Sequence, residues 1–518
     1  MHTQRFRKRA LIPLLATATL LMASDSAAAR EDDHDLGIRE HVFDNGLRLL
    51  VLERPGDPRV ACKIFTDMGG LNETPGQAGA AHYLEHLMFK GTETLGTTDW
   101  AAEAPIMEQI DEAEEELIAA LNAARNEIAE RGVFHDYRHA ETTPRIEAAR
   151  SRIAELESMA APHRDNGSMM RWYQAFGGTG LTATTEQEYM KFDINLPVER
   201  VELFLRVEAD RMNNTVFREF DQERMILVEQ RLGDLNRANT PYTERMAAIS
   251  GESSPVFWPE GHYPDDFTQY SRAYQRQLYE RYFVVNNTTL VFIGGVTLEE
   301  MVPRVEAYFG WMPRAPEPPR SEAVEPVPMA ERRLIYRNDD LAPRVELRHG
   351  IPGIGHPDRA AFDVVAIVAV PAIERALAAA GLPGSVNANM RVIHTSRFGV
   401  PATLNLEVLT AAENLAAVEA TVLAALEQLA AGEVDGDDLN LAKKTLRTQW
   451  YRTVADADAL AFEIGHFQTM DRWQTLQTHL QQRDATDAAQ IARLARRYFD
   501  PDNRVVGIVR PRTQEQGQ

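Results

Sequence analysis

The stretches RYFVVNNTTLVFIGG (Arg281–Gly295) and RYFDPDNRVVGIVRP (Arg497–Pro511) occupy corresponding places in the two halves of this 518-residue chain. Each starts where a helical pattern ends, passes through an Asn/Asp turn and continues as a run of β-branched residues. Each also follows a similar order of predicted strands and helices, so duplication explains the pair better than chance. The sequence therefore predicts two related domains of mixed α and β structure, which suits a chain too long for one ordinary core.

The predicted domain boundaries follow from composition. Residues 30–312 form the first domain, residues 313–332 a proline-rich linker without apolar periodicity, residues 333–512 the second domain and residues 513–518 a tail. Within the first domain, apolar residues recur every three or four positions in two consecutive segments. This spacing predicts a self-packing helical hairpin inserted at about residues 101–165.

The N-terminus has the composition of an export signal. Residues 1–29 combine four basic residues, an apolar run from Ala10 to about Ala23, and small residues just before Arg30. We expect this signal peptide to be cleaved and the chain to be periplasmic or secreted, with no membrane span after its removal. The net charge of −22 is unfavourable for binding nucleic acid. Cys62, the single cysteine, cannot form a disulfide within the chain.

The segment AAHYLEHLMFKGT (Ala80–Thr92) carries His82 and His86 four residues apart, with Glu85 directly before the second histidine. Positions four apart share one face of a helix, so both imidazoles can bind one metal ion. Zinc suits these ligands and lowers the pKa of bound water to about 7, and Glu85 can then act as general base. The order His-x-x-Glu-His is that of the inverted zinc-protease motif. Taken alone, the pattern also fits an amphipathic helix with two incidental histidines.

The surrounding sequence resembles the insulinase-like M16 metallopeptidases, in which a Gly-rich loop, this helix and a Lys-Gly-Thr turn follow one another. FREFDQERMILVEQR (217–231) is similar to that family's second zinc-site helix, ANTPY (238–242) to the segment after it, and RYFVVNNTTLVFIGGV (281–296) to its domain-closing strand. The helical hairpin resembles an insertion in one bacterial branch of the family. The resemblance covers most of the chain after residue 29, strongly in the first half and loosely in the second.

The resemblance implies a fold and a site. The fold is of the α+β class, with two similar layered α/β domains that form a clamshell around a cavity where unfolded peptides are cut. Peptide substrates would pair with an edge strand of the metal-bearing domain. The implied cofactor is Zn²⁺, the implied ligands include His82 and His86, and Glu85 is the implied catalytic base.

The resemblance identifies the third zinc ligand less directly than the two histidines. Family members have a glutamate on the second helix, seven residues after another glutamate; without a gap, these positions are Glu223 and Gln230. A neutral glutamine is a poor zinc ligand. Glu229 stands beside it, although one residue along a helix means a rotation of about 100°. We predict Glu229 as the third ligand and keep the Gln230 register as the alternative. Thr182, where the family usually has Asn, is a second departure from the pattern.

Two functions are expected from these features. The first is a zinc-dependent endopeptidase that cleaves unfolded peptides or small polypeptides by metal-activated water. The alternative is a catalytically impaired M16-like binding or scaffolding subunit that pairs with an active homologue. The expected partners are peptide substrates and, in a homodimer or heterodimer, another M16-like subunit.

Overall fold

The computed structural model describes residues 35–74, 76–130, 143–251, 255–258, 270–320, 325–326, 328–387 and 402–512. The predicted signal peptide and C-terminal tail lie outside these residues. Among the described helices, none alone is long and apolar enough to cross a bilayer. One bent pair, Ala412–Ala431 with Gly436–Ala455, meets that criterion by length and composition alone.

The first half is built on a six-stranded sheet. Its strands are β1 (Arg39–Val42), β2 (Arg48–Glu53), β3 (Arg59–Thr66), β4 (Thr179–Thr185), β5 (Met190–Pro197) and β6 (Thr288–Gly294). They lie in the order β1-β2-β6-β3-β5-β4, and β2 with β6 is the parallel pair. Strands β3 and β6 are buried almost throughout, as expected for strands covered on both faces. Strand β4 forms one edge of this sheet.

The second half repeats this arrangement in a five-stranded sheet. Its strands are β7 (Arg332–Arg337), β8 (Arg344–Ile351), β9 (Gly384–Asn387), β10 (Ala402–Thr410) and β11 (Arg504–Arg510), in the order β7-β11-β8-β10-β9. In each half the last strand is parallel to one neighbour and antiparallel to the other: β6 between β2 and β3, and β11 between β7 and β8. The predicted fold class, α+β with two related halves, is confirmed.

Helices cover both sheets. Those of the first half are α1 (Ala80–Met88), α2 (Trp100–Glu130), α3 (Pro144–Ala160), α4 (Ser168–Ala175), α5 (Val201–Asn214), α6 (Phe220–Leu235), α7 (Thr240–Ser250), α8 (Arg272–Tyr282) and α9 (Leu298–Phe309). Those of the second half are α10 (Arg359–Ala379), α11 (Leu415–Ala431), α12 (Gly436–Ala455), α13 (Ala457–Met470), α14 (Gln474–Ala485) and α15 (Ala488–Tyr498). Local signals set several boundaries: Thr297 and Glu300 form a capping box at the start of α9, and Asp435 caps α12.

Helices α2 and α3 pack against each other over a shared apolar cluster. Its buried members include Ile110 and Leu117 of α2 and Ile153 and Leu156 of α3, which belong to the periodic residues noted in the sequence. The base of the hairpin is tied to the chain before α6, because the buried Arg218 contacts both carboxylate oxygens of Glu103 at 2.8 and 3.0 Å. The hairpin is thus anchored close to the second helix of the predicted site.

The two halves exchange helices, in the sense that each half contributes a helix that packs on the sheet of the other. Helix α13 of the second half packs on the face of the first sheet formed by Ala61 and Phe65, and α7 of the first half packs on β11. Glycines permit both close approaches: a Cβ on Gly465 would overlap the ring of Phe65, and one on Gly507 would overlap Tyr242 and Met246 of α7. This reciprocal packing holds each sheet against a helix from the other half.

A buried charge reinforces the contact between the halves. Lys63 of β3, which is almost fully buried, lies 2.8 Å from Asp193 of β5 and 2.9 Å from Asp458 of α13. Asn195 donates a further hydrogen bond to Asp458 at 3.1 Å. A buried ammonium group needs such partners, because an unpaired charge in the interior is strongly destabilising. The orientation of α13 on the first sheet is therefore specified by charge as well as by apolar packing.

Candidate metal-dependent active site

Helix α1 carries His82, Glu85 and His86, and its N-terminus is held by a buried carboxylate. The helix starts after Gly79, whose φ of 97° lies in the left-handed region that glycine adopts without strain. The buried carboxylate of Glu73 accepts hydrogen bonds from the backbone N–H groups of Gly79 and Ala81, each at 2.9 Å. An anion at a helix N-terminus accepts hydrogen bonds from the unpaired N–H groups of the helix and interacts favourably with the helix dipole. The start of the motif helix is thereby fixed.

The two histidines of the motif lie side by side. Their ring centroids are 4.9 Å apart and the ring planes are inclined by 76°. Burial, and next the neighbouring His86, lower the pKa of His82 to about 4, although the charge of Asp234 opposes this shift. His82 is therefore neutral at physiological pH, which is the state of imidazole that binds metal ions.

His86 is oriented by a carboxylate on α6. Its Nδ1 lies 2.9 Å from Oε2 of Glu223, and Lys90 contacts the other oxygen of that carboxylate at 2.5 Å. Burial acts to raise the pKa of Glu223, but the hydrogen bonds from His86 and Lys90 outweigh it and the pKa is lowered. An ionised carboxylate only accepts hydrogen bonds, so Nδ1 of His86 is the donor to Glu223, which leaves Nε2 as the nitrogen that could bind a metal ion. Carboxylates behind metal-binding histidines have this role in metal sites generally.

Glu85 points toward the edge strand of the first sheet. Oγ1 of Thr185, the last residue of β4, donates a hydrogen bond to Oε2 of Glu85 at 2.6 Å. Burial raises the pKa of Glu85, and the hydrogen bond from Thr185 partly offsets that rise. A carboxyl group with a raised pKa beside two imidazoles suits a general base that acts near neutral pH. The site therefore lies next to a strand edge on which an extended chain could pair.

The predicted third ligand, Glu229, lies on α6, on a different side of that helix from Glu223. Glu229 is exposed, and at about 100° per residue it lies roughly 120° around the helix from Glu223, which contacts His86. Gln230 lies about 20° from Glu223 and is also exposed. The sequence prediction of Glu229 as a ligand thus stays a prediction. Among the described side chains, no group of three or more His, Cys, Asp or Glu is placed to hold a metal ion.

The donor chemistry fits zinc at two positions. Two adjacent imidazoles, one neutral through burial and the other held by Glu223, are nitrogen ligands of the kind that zinc prefers. Among the described side chains, no third ligand completes this set. Sequence reasoning did not identify Thr185 or Lys90. Lys90 follows His86 by four residues, so helical periodicity could have placed it near the site, whereas no local spacing links Thr185 to the motif.

Comparison with known proteins adds a family relationship. The family model described as "Insulinase (Peptidase family M16)" matches residues 48–129, which include α1, and the model described as "Peptidase M16 inactive domain" matches residues 271–446. An uncharacterized zinc protease of Streptomyces coelicolor is 36% identical over 91 residues, which make up 16% of this chain and 20% of that protein. The chain thus aligns with about a fifth of this relative's length.

The fold is similar to those of solved proteases. A protease from Helicobacter pylori matches with a TM-score of 0.69 and 16% identity, over 92% of this chain and 99% of that chain. The periplasmic protease PqqL from Escherichia coli matches with a TM-score of 0.66 and 12% identity, over 92% of this chain and 48% of that one. At such low identity these likenesses bear on the fold, which they share with this chain over nearly its whole length.

Proposed function

The chain belongs to the M16 peptidase family, and on that premise we propose that it is a zinc-dependent endopeptidase acting on unfolded peptides or small polypeptides. One observation carries the proposal. His82 and His86 lie side by side, His86 is held by Glu223, and Glu85 stands between this pair and the edge strand β4. A merely structural pair of histidines needs neither the carboxylate behind it nor the base beside it.

The residues have separate roles in this proposal. His82 and His86 would hold the ion, and Glu229 is the third ligand predicted from sequence. Zinc, when bound, supplies Lewis-acid activation of a water molecule and of the scissile carbonyl group. Glu85 takes a proton from the attacking water and transfers it to the leaving amine. Thr185 keeps the Glu85 carboxylate directed toward β4, where the peptide would lie.

Substrate binding would use the open edge of the first sheet. Strand β4 pairs with β5 along one side, and its exposed and half-buried residues leave the other side accessible among the described residues. An extended peptide that adds to such an edge is held by backbone hydrogen bonds, which depend little on side-chain identity. This mode of binding supports a preference for unfolded substrates rather than for one sequence.

A second candidate function rests on a specific observation. Glu229 and Gln230 are both exposed, and the described residues hold no closed group of three acidic, histidine or cysteine ligands. The chain would then be an impaired binding or scaffolding subunit that pairs with an active M16-like homologue. Under either function we propose a periplasmic or secreted location, since the N-terminus resembles a signal peptide and one structural neighbour is described as periplasmic.

Metal content and peptide cleavage, measured on the same preparations, test the proposal. The purified chain is incubated with zinc, desalted and analysed for zinc per chain, and cleavage of an unstructured fluorogenic peptide is followed. We expect Glu85→Gln to keep its zinc and to lose about 10²–10⁴-fold in turnover, because the general base is gone. Glu93→Gln, an exposed glutamate beyond α1, is the matched control and should cleave normally.

The outcomes separate the two functions. Undiminished turnover by Glu85→Gln would contradict the proposed mechanism. A chain that neither retains zinc nor cleaves the peptide would instead support the impaired subunit. In that case a search for an M16-like partner follows.

A further inference from the structure

Glu219, the residue directly before α6, has a strained backbone. Among the residues that the structure describes, it is the one residue other than glycine with a positive φ, at 53°. A Cβ atom is crowded in this left-handed region, which glycine and asparagine adopt more readily. The Glu219 side chain makes no capping hydrogen bond to α6, so helix capping does not explain the conformation. Strain of this kind occurs chiefly at functional sites, where the surrounding structure holds a side chain in one direction.

The Glu219 carboxylate is held between two donors. Its Oε2 accepts a hydrogen bond from Nζ of Lys90 at 2.9 Å, and its Oε1 accepts one from Nδ2 of Asn166 at 2.5 Å. Lys90 lies in the turn that follows α1, and Asn166 lies between α3 and α4. Because only 14% of the Glu219 side chain is exposed, water competes little for its carboxylate. Glu219 thus fixes where the ammonium group of Lys90 lies.

Lys90 connects Glu219 to the histidine motif. Its Nζ atom also lies 2.5 Å from Oε1 of Glu223, whose Oε2 is the partner of Nδ1 of His86 at 2.9 Å. A continuous row of polar groups therefore runs from Glu219 through Lys90 and Glu223 to His86. Since each oxygen of the Glu223 carboxylate has its own partner, a displacement of Lys90 would also disturb the hydrogen bond to His86.

Charge gives Glu219 a second effect on the same site. A lysine ammonium group beside a metal site repels a divalent cation, and this repulsion is poorly screened inside a protein. Two carboxylates, Glu219 and Glu223, surround the single ammonium group of Lys90, so the ionised cluster is net negative. Without Glu219, Lys90 would be balanced by Glu223 alone and would compete with His86 for that carboxylate. Both effects make the loss of Glu219 unfavourable for a cation at His86.

We propose that Glu219 is a positioning residue of the metal site, which acts through Lys90 on Glu223 and thereby orients His86 for metal binding. This inference rests on the proposed function, since it concerns the same histidine pair. Glu219 is not itself a metal ligand in this role. Its effect on zinc affinity should therefore disappear when Lys90, the group through which it acts, is replaced.

A double-mutant cycle on zinc affinity tests this inference independently of catalysis. The full chain, Glu219→Gln, Lys90→Met and the double variant are titrated with zinc against a chromophoric chelator. We expect Glu219→Gln alone to weaken zinc binding by about 10-fold, the lower end of the effect that residues behind metal ligands have. In the Lys90→Met background the same substitution should change the affinity by less than about 2-fold. The exposed Glu93→Gln is the matched control and should bind zinc as the unmodified chain does.

A second variant and a stability measurement separate positioning from a purely structural role. Glu219→Asn suits the left-handed backbone but has a shorter side chain without a carboxylate, so it should also bind zinc about 10-fold more weakly. Urea denaturation followed by circular dichroism checks that each variant is folded. A purely structural Glu219 would change the urea midpoint and leave the zinc affinity of the folded variants unchanged.

The other outcomes overturn defined claims. If Glu219→Gln and Glu219→Asn bind zinc as tightly as the unmodified chain, the inference is wrong while the proposed function stands. If Glu219→Gln loses as much affinity in the Lys90→Met background, Glu219 does not act through Lys90 and the inference is likewise wrong. If the unmodified chain binds no zinc, or His82→Asn binds it unchanged, the proposed function fails and this inference fails with it.

Discussion

Gly465 provides a test of how the two halves are joined. Whether Gly465→Ala stabilises or destabilises the protein depends on the packing of the two halves against each other. Gly465 lies within α13, and α13 packs on the first sheet at Phe65. In a helix interior, replacing glycine with alanine normally stabilises a protein by about 1 kcal/mol. At Gly465 the added methyl group would overlap the Phe65 ring, and it would lie 2.5 Å from Cδ2.

The size of the clash determines the expected result. Ordinary contact between carbon atoms is about 3.5–4.0 Å, so the methyl group would be at least about an ångström too close. Phe65 is fully buried and cannot swing away. Overpacking of this kind costs about 1–3 kcal/mol, and the full ring overlap places Gly465→Ala near the upper end. After subtraction of the gain in helix propensity, we expect a net loss of about 2 kcal/mol in the free energy of unfolding.

Urea denaturation followed by circular dichroism and tryptophan fluorescence measures this change. Gly233→Ala is the matched control, since Gly233 is also helical but has no atom within 4 Å of a built Cβ. The control should be stabilised by up to about 1 kcal/mol, whereas Gly465→Ala should be destabilised. If both variants gain stability, α13 does not pack on Phe65 and the exchange of helices between the halves is refuted.

Two further predictions concern the carboxylates. Glu223→Gln should weaken zinc binding by about 10–100-fold, because the amide lacks the charge that holds the Nδ1–H of His86; unchanged affinity in a competition titration would contradict this role. Burial, and next Asp363, raise the pKa of Glu463 from 4.5 to about 7. The folded state then binds the proton more tightly, so the stabilisation is complete below pH 4.5 and is lost as the pH rises through 7. Glu463→Gln should therefore exceed the unmodified chain in unfolding free energy by about 1–3 kcal/mol at pH 8 but not at pH 4.5, and a constant difference would argue against a buried carboxyl group.

Local patterns in the sequence were sufficient to predict several elements of the fold. The repeated Arg-Tyr-Phe segments predicted two related halves, and the structure places the strand after each of them, β6 and β11, in equivalent interior positions of the two sheets. Apolar spacing predicted the hairpin residues that pack together in α2 and α3. The spacing of His82 and His86 likewise placed two imidazoles on one face, as their ring contact shows. Such features depend on neighbours within a helical turn or a strand, which the sequence records directly.

The tertiary structure alone decided how these elements face one another. Glu229 and Gln230 are adjacent in sequence, yet which side of α6 faces α1 depends on the rotation of the whole helix about its axis. Packing at the buried Leu227 and the contact of Glu223 with His86 set that rotation. Lys63 meets Asp458 in the same way, across nearly 400 residues of sequence. Contacts between distant segments are chosen by the packing and charge of the whole molecule, and no local pattern encodes that choice.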